Sequence, residues 1–282
     1  MNMNMNDYLN VAAYQGPVSE DSVQTNLDKV LEITELAEKL QVDILCFPET
    51  FLHGYFSSRE EAMRHALDLN SVEFRAICNR FSSFEKTTVL LGVNEMVEDK
   101  IYNTVVAIEK GKCLGRYRKA YTYAPYDYYA LGRDFPVFEK KGVKYGIIVC
   151  LDSVYREPAY LAALQGARVI FCPSFNRVQK ETHMFHYLHR KSHFISRAFD
   201  NHCWFIVSDI IWDKGEEACP GCACILNDEG EMIAKADAFQ EVLLSYPIPL
   251  ARLKEQKKIR LLGNPELFEM MSVAYKKALA EA

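Results

Sequence analysis

Apolar and polar positions along the chain recur with two periods, and the switches between them mark out the elements. Tyr8 to Tyr14 is an apolar run of strand length, and from Ser19 to Leu40 the residues Val23, Leu27, Val30, Leu31, Ile33, Leu36 and Leu40 return at helical spacing. A β-α unit therefore opens the chain. Asp43 to Phe47 is the next strand, Ser58 with Glu60 and Glu61 behind it marks a helix start leading to Leu67, and a further helix is predicted over Ser71 to Phe81. Thr87 to Glu95, Ile101 to Ile108 and Lys112 to Tyr117 are strands parted only by short polar turns, which predicts antiparallel hairpins. Tyr121 to Arg133 follows neither period and reads as an irregular aromatic loop.

The second half repeats the form. Val143 to Val149 is a strand, Arg156 to Gln165 a helix, Arg168 to Phe171 a strand, Gln179 to Asp200 a long helix and Cys203 to Ser208 a buried strand. Cys222 to Leu226, Glu231 to Lys235 and Gln240 to Ser245 are expected as a second antiparallel group, with Asn227-Asp228-Glu229-Gly230 as its hairpin turn. This order predicts an α/β protein with two mixed sheets covered by helices, an α-β-β-α sandwich. No linker or shift in composition interrupts it, so residues 1–282 are expected to form one domain. Residues 247–282 form a C-terminal tail, either crossing onto another subunit or packed on its own domain.

Composition narrows the function classes. A chain of 282 residues with 49% hydrophobic content can bury a large core, and a net charge of −5 without a long basic run lacks the footprint of a nucleic-acid binder. No stretch approaches the roughly 20 apolar residues of a membrane span, and Met1 to Asp7 has no cationic flank, so a soluble cytoplasmic protein with a small-molecule substrate is expected. The nine cysteines lie mostly in apolar segments, which fits reduced thiols better than a disulfide framework. Cys219, Cys222 and Cys224 lack a fourth ligand at zinc spacing, so a surface turn is favoured over a metal. His183, His186, His189 and His193 share one helix face. They are read as hydrogen-bonded or surface histidines, with one lining a pocket as the next reading and a metal site as the third.

The chemistry gathers at strand ends. Cys150 follows the apolar run Val143 to Val149, Glu49 ends the segment Asp43-Ile44-Leu45-Cys46-Phe47-Pro48, and Lys119 ends Arg116-Tyr117-Arg118. Strand ends are where α/β sheets collect their sites. Breaking an amide needs a nucleophile, a proton carrier that also serves the leaving nitrogen, and positive charge at the developing oxyanion. Cys150, Glu49 and Lys119 supply these in turn, with the backbone N–H of Leu151 as a second oxyanion donor.

These residues lie in blocks that resemble the nitrilase or carbon-nitrogen hydrolase superfamily. Phe47-Pro48-Glu49-Thr50-Phe51-Leu52-His53-Gly54-Tyr55 is similar to its first catalytic block, Gly115 to Lys119 to its lysine block, and Gly146 to Asp152 to its nucleophile block. The resemblance runs from Val11 to about Leu250. It implies the sandwich fold, a cysteine hydrolase acting through a thioester on a small amide or N-carbamoyl compound, homodimers or higher homo-oligomers, and no metal or organic cofactor. Nitrile hydrolysis, acyl transfer by the same triad, or a catalytically weak binding or assembly module are the alternatives. Many members carry a second glutamate in the loop after the lysine. Here the loop reads Tyr126-Asp127-Tyr128-Tyr129-Ala130-Leu131-Gly132, and Asp127 is the carboxylate placed to substitute as a fourth catalytic residue. Tyr55, Tyr126 and Phe175 are the candidate substrate contacts.

Overall fold

The computed structural model describes residues 5–20, 22–56, 58–123, 126–181, 192–255 and 265–281. The first half runs β1 (Tyr8–Pro17), α1 (Val23–Lys39), β2 (Ile44–Cys46), α2 (Arg59–His65), α3 (Val72–Asn79), β3 (Thr88–Val97), β4 (Lys100–Glu109) and β5 (Lys112–Arg118). The second half runs β6 (Val137–Lys140), β7 (Val143–Ile147), α4 (Arg156–Leu164), β8 (Val169–Ser174), β9 (Val178–Gln179), α5 (Ser192–Asn201), β10 (Trp204–Lys214), β11 (Glu217–Cys219), β12 (Cys224–Leu226), β13 (Met232–Lys235) and β14 (Val242–Pro249). Two helices close the chain, α6 (Leu250–Lys254) and α7 (Pro265–Glu281). Serine caps start the helices of the first half: the side chains of Ser22, Ser58 and Ser71 accept from the backbone N–H groups of Thr25, Glu61 and Phe74.

The strands lie in the order β5-β4-β3-β2-β1-β10-β8-β7-β6 within one mixed sheet. The two sheets expected from sequence are thus joined by hydrogen bonds, and β1 is the reason. Its middle pairs parallel with β2 (Val11 with Ile44) while its C-terminal end pairs parallel with β10 (Gln15 with Asp209). The sheet curls, because inward residues of both halves share one cluster: Val11, Ala13, Ile44 and Leu90 pack with Tyr145, Ile147, Phe171 and Ile206. The alternate residues face outward. Leu45 and Leu91 pack under α1 and α3 with Val30 and Phe74, and Ile170 and Phe205 pack under α4 and α5 with Ala162 and Phe194.

Several expectations shift. β14 does not extend the β12–β13 hairpin but pairs antiparallel with β1 from Tyr8 with Pro249 to Gln15 with Val242. Of the long helix expected over Gln179 to Asp200, Gln179 instead belongs to β9, paired antiparallel with β11, while residues 180–181 and Ser192–Asn201 are helical and 182–191 lie outside the described residues. The short strand β6 hides in Val137–Lys140, where Phe138 stacks on Tyr145 at 5.5 Å. In the tail, α7 packs on α4: Phe268 stacks on Tyr160 at 5.7 Å and the Tyr275 hydroxyl donates to Glu157 at 3.0 Å. Among the described residues no helix is long and apolar enough to cross a membrane.

β2, β7 and β8 run parallel, and β5 points the same way through two antiparallel steps, β4 and β3. Their C-terminal ends therefore open on one side of the molecule, and the segments that follow them build one pocket.

Candidate active site

Glu49 stands at the turn after β2, fully buried. The turn is gripped from below by β3, since a Cβ on Gly92 would lie 2.4 Å from the Thr50 nitrogen and 2.6 Å from the Pro48 carbonyl oxygen. Only glycine lets the two backbones approach so closely. The Glu49 Oε1 atom accepts from Lys119 Nζ at 2.5 Å, from Asn103 Nδ2 at 2.7 Å and from the Tyr55 hydroxyl. Its Oε2 atom is buried and has no hydrogen-bond partner among the described residues. One oxygen is fully engaged and the other is left open.

Lys119 follows β5, and its backbone N–H donates to the Asn103 carbonyl at 2.9 Å. Gly132 packs against the same turn: its N–H donates to the Lys119 carbonyl at 2.7 Å, and a Cβ there would sit 2.0 Å from the Arg118 carbonyl oxygen. The loop after β5 thus folds back on the lysine. Burial works against the Lys119 charge, but the Glu49 carboxylate outweighs it and holds the ammonium above its ordinary value. The two side chains are buried together as an ion pair, and removing either one alone would leave its partner without compensation.

Cys150 opens a tight helical turn, Cys150–Ser153, directly after β7. Its φ of 45° is left-handed, a conformation that costs a non-glycine residue about 1–3 kcal/mol, and the turn closes with the Ser153 hydroxyl donating to the Cys150 carbonyl at 2.6 Å. The thiol lies 3.9 Å from both the Phe175 carbonyl and Asn176 Oδ1. Asn176 is itself fixed, its backbone N–H and Nδ2 donating to the Asp209 carboxylate at 3.2 and 3.0 Å. Burial and then the Glu49 carboxylate push the thiol well above its ordinary value, with Lys119 pulling the other way. These surroundings favour the neutral thiol over the thiolate.

A pocket of about 200 Å³ is lined by Glu49, Lys119 and Cys150 together with Tyr55, Tyr126, Leu151 and Phe175. The structure thus brings together seven of the eight site residues read from the sequence. Tyr55 links them, stacking on Tyr126 at 4.5 Å and touching Phe175 at 5.1 Å, while burial and the neighbouring Glu49 carboxylate hold its hydroxyl protonated. Asp127 is not brought in: it is exposed and does not line the pocket. The reason is the turn at Tyr126–Tyr129, which spends its inward positions on rings and buries Tyr129, whose hydroxyl donates to Asn94 at 2.6 Å. His193 lines the pocket, whereas His183, His186 and His189 lie outside the described residues. The run containing Cys219, Cys222 and Cys224 is buried rather than a surface turn, and among the described residues no three metal-ligating side chains converge.

Asn103, Asn176 and Asp152 escaped the sequence reading as working residues. The only signal was polarity inside or beside apolar strands. Asp152 is fully buried and accepts from the Tyr117 hydroxyl at 2.7 Å and from the backbone N–H groups of Val149, Tyr121 and Ala120 at 2.9, 2.9 and 3.1 Å. It ties the nucleophile turn to the chain just beyond Lys119. Burial pushes its carboxyl up to about 6, against the pull of Lys119 and of the donors around it. Every partner is a donor, so a protonated Asp152 would set O–H against N–H and loosen the tie. Activity should therefore fall as pH drops through about 6. Stability should not follow. The folded value lies above the ordinary carboxylate value of about 4, so in that window the fold takes up a proton that the unfolded chain does not, and this group's contribution to stability rises with acid. A pH-rate profile recorded beside thermal unfolding checks this, and loss of activity in step with loss of the fold would contradict it.

The family model described as carbon-nitrogen hydrolase matches residues 10–258. A hydrolase encoded in the 5′ region of pqqF in Pseudomonas protegens is 28% identical over 94% of this chain and 92% of its own length. The glutamine-dependent NAD(+) synthetase of Aquifex aeolicus is 26% identical over 90% of this chain, which spans only 44% of that protein. Among solved structures, a carbon-nitrogen hydrolase from Helicobacter pylori superimposes with a TM-score of 0.80 at 19% identity, over 94% of this chain and 98% of its own. That likeness is one of fold.

Proposed function

The chain belongs to the carbon-nitrogen hydrolase family, and on that premise we propose that it hydrolyses the carbon-nitrogen bond of a small linear amide or N-carbamoyl compound through a thioester on Cys150. The observation that carries the reading is the buried Glu49–Lys119 pair opening on the same pocket as the Cys150 thiol, with one Glu49 oxygen unpartnered. Cys150 Sγ adds to the carbonyl carbon as its proton passes to Glu49. Lys119 Nζ and the Leu151 N–H meet the oxyanion. Collapse breaks the C–N bond, and the amine leaves with the proton from Glu49, giving the thioester. Glu49 then takes a proton from water as the water oxygen adds to the thioester carbon. The second collapse breaks the C–S bond, releases the acid and returns the proton to the thiolate.

A neutral resting thiol fits this sequence, because the base that accepts the proton also delivers it to the leaving nitrogen. The pocket, at about 200 Å³, has room for a small linear compound and not for a folded peptide segment. One relative's name includes glutamine, whose side chain is a primary carboxamide. The three apolar clusters support reading the architecture as an α-β-β-α sandwich, two helical layers outside and the curled sheet doubled between them. The test is ammonia release from a panel of small primary amides, N-carbamoyl amines and nitriles, with intact-mass detection of an acyl adduct. Release from amides or carbamoyl compounds with an adduct on Cys150 is the expected result. Turnover without any adduct on that residue would contradict the mechanism.

A further inference from the structure

Arg177 lies just beyond Phe175 and Asn176 and lines the same pocket as the triad. Its side chain is only 25% exposed. The guanidinium carbon sits 4.8 Å from the Trp212 ring centroid, 5.4 Å from Phe175 and 5.8 Å from Tyr126, so three aromatic faces hold the group in place. Its nearest acid is Glu217, at 3.7 Å and 35% exposed, beyond hydrogen-bond distance. The other Glu217 oxygen is occupied by Gln179 Nε2 at 2.9 Å. Among the described residues no protein acceptor lies within hydrogen-bond distance of the guanidinium, so a fork of five N–H groups is fixed in place at the pocket with its donors left to solvent or a ligand.

The charge balance of the pocket points the same way. Glu49 and Lys119 neutralise each other at 2.5 Å, and Arg177, whose partly exposed ion-pair partner Glu217 stands 3.7 Å away and outside the lining, is the remaining residue of fixed charge among those described as lining the pocket. The walls beside it are apolar or aromatic, Val154, Leu151, Phe175 and Tyr126 among them. A cation immobilised in such surroundings favours an anionic ligand, and a guanidinium edge matches a planar carboxylate through two parallel hydrogen bonds. A neutral amide forgoes that contact, and a site built to hydrogen-bond a group discriminates against ligands that lack it.

We propose that Arg177 anchors a carboxylate at the end of the substrate remote from the scissile bond, so that the preferred substrates are small amides or N-carbamoyl compounds carrying a free carboxylate. The choice of bond rests on the amide-hydrolase reading, whereas the binding of the anion does not. Arg177 acts on specificity and takes no part in bond cleavage.

Two measurements separate these claims. The first compares kcat/KM for succinamate, a half-amide with a free carboxylate, with that for the neutral butyramide, in wild type and in Arg177→Met. The wild type is expected to favour succinamate by about tenfold to a hundredfold, as a charge-assisted bidentate contact implies. In Arg177→Met the ratio should fall to near one, and Arg177→Lys should retain part of it. The second measures binding of the same two compounds by calorimetry to Cys150→Ala protein, with and without Arg177→Met. Tighter succinamate binding that Arg177→Met removes upholds the anchor even if neither compound is hydrolysed, an outcome that would count against the amidase reading alone. A wild-type ratio below about twofold, or binding of succinamate no tighter than butyramide, overturns the anchor and leaves the triad untouched. That comparison needs no variant of Arg177, so it decides the matter even if Arg177→Met fails to fold.

Discussion

Replacing Cys150 by alanine is expected to reduce ammonia release from small amides by on the order of 10⁴-fold or more, with the thermal unfolding midpoint close to that of the wild type. Without the sulfur the pocket loses the thiol on which the acyl intermediate forms. The remaining groups, Glu49, Lys119 and the Leu151 N–H, could only promote direct attack by water, a route that loses the division of one hard step into two easier ones. Stability should hold because the thiol makes only two long contacts, at 3.9 Å each, and alanine meets the same left-handed backbone at φ 45° that cysteine does. The turn itself is kept by Ser153 on the Cys150 carbonyl and by Asp152 on Val149, neither of which involves the sulfur. An ammonia assay and a thermal melt on the same preparation check both halves. Activity within tenfold of wild type would remove Cys150 from the mechanism, and a collapsed melt would make the loss uninformative about chemistry.

That the triad of Glu49, Lys119 and Cys150 would converge was legible because each stands at the end of a predicted strand, and strand ends in a parallel sheet face one side. What sequence could not give was the support around it. Asn103 stands in the middle of β4, and nothing in Tyr102-Asn103-Thr104 indicates that its amide reaches Glu49 across the sheet. Asp152 follows the nucleophile by two residues, but its partners Tyr117, Ala120 and Tyr121 come from a segment more than 30 residues upstream that meets it only in the folded chain. Arg177 reads as one more polar residue in a connecting segment until Trp212, Phe175 and Tyr126 are seen around it. The failures at β6, β9 and β14 have a shared cause. Short edge pieces such as Val178–Gln179 carry too few residues to show a period, and which strand β14 joins is settled by long-range packing against β1, not by its own turn signals. Asp127 was chosen by its chemistry within a loop. The backbone there turns its neighbour Tyr129 inward and leaves the carboxylate outside.

Lys119→Met should damage both function and fold, and a second substitution should separate the two effects. The ammonium supplies an oxyanion donor, whose loss alone costs about 10²–10³ in kcat. Among the described residues it is also the only cation bonded to Glu49, whose Oε1 would keep just Asn103 Nδ2 and the Tyr55 hydroxyl as donors. An uncompensated charge in a fully buried position costs about 3–5 kcal/mol when one partner of a pair is removed, so the variant should melt well below the wild type. If the carboxylate escapes that cost by binding a proton, it can no longer accept one from Cys150, and activity is lost by the second route as well. The double variant Glu49→Gln/Lys119→Met removes both charges while keeping shapes close to the originals. It should recover most of the stability, since a buried pair replaced as a pair is near neutral, and none of the activity, since the proton carrier is gone and the Leu151 N–H is left as the one oxyanion donor of the two. Chemical denaturation of the two single variants and the double, alongside ammonia release, closes the cycle. A Lys119→Met protein as stable as wild type, or a double variant no more stable than Lys119→Met, would mean that the pair does not bear on Glu49 in the way its 2.5 Å contact indicates.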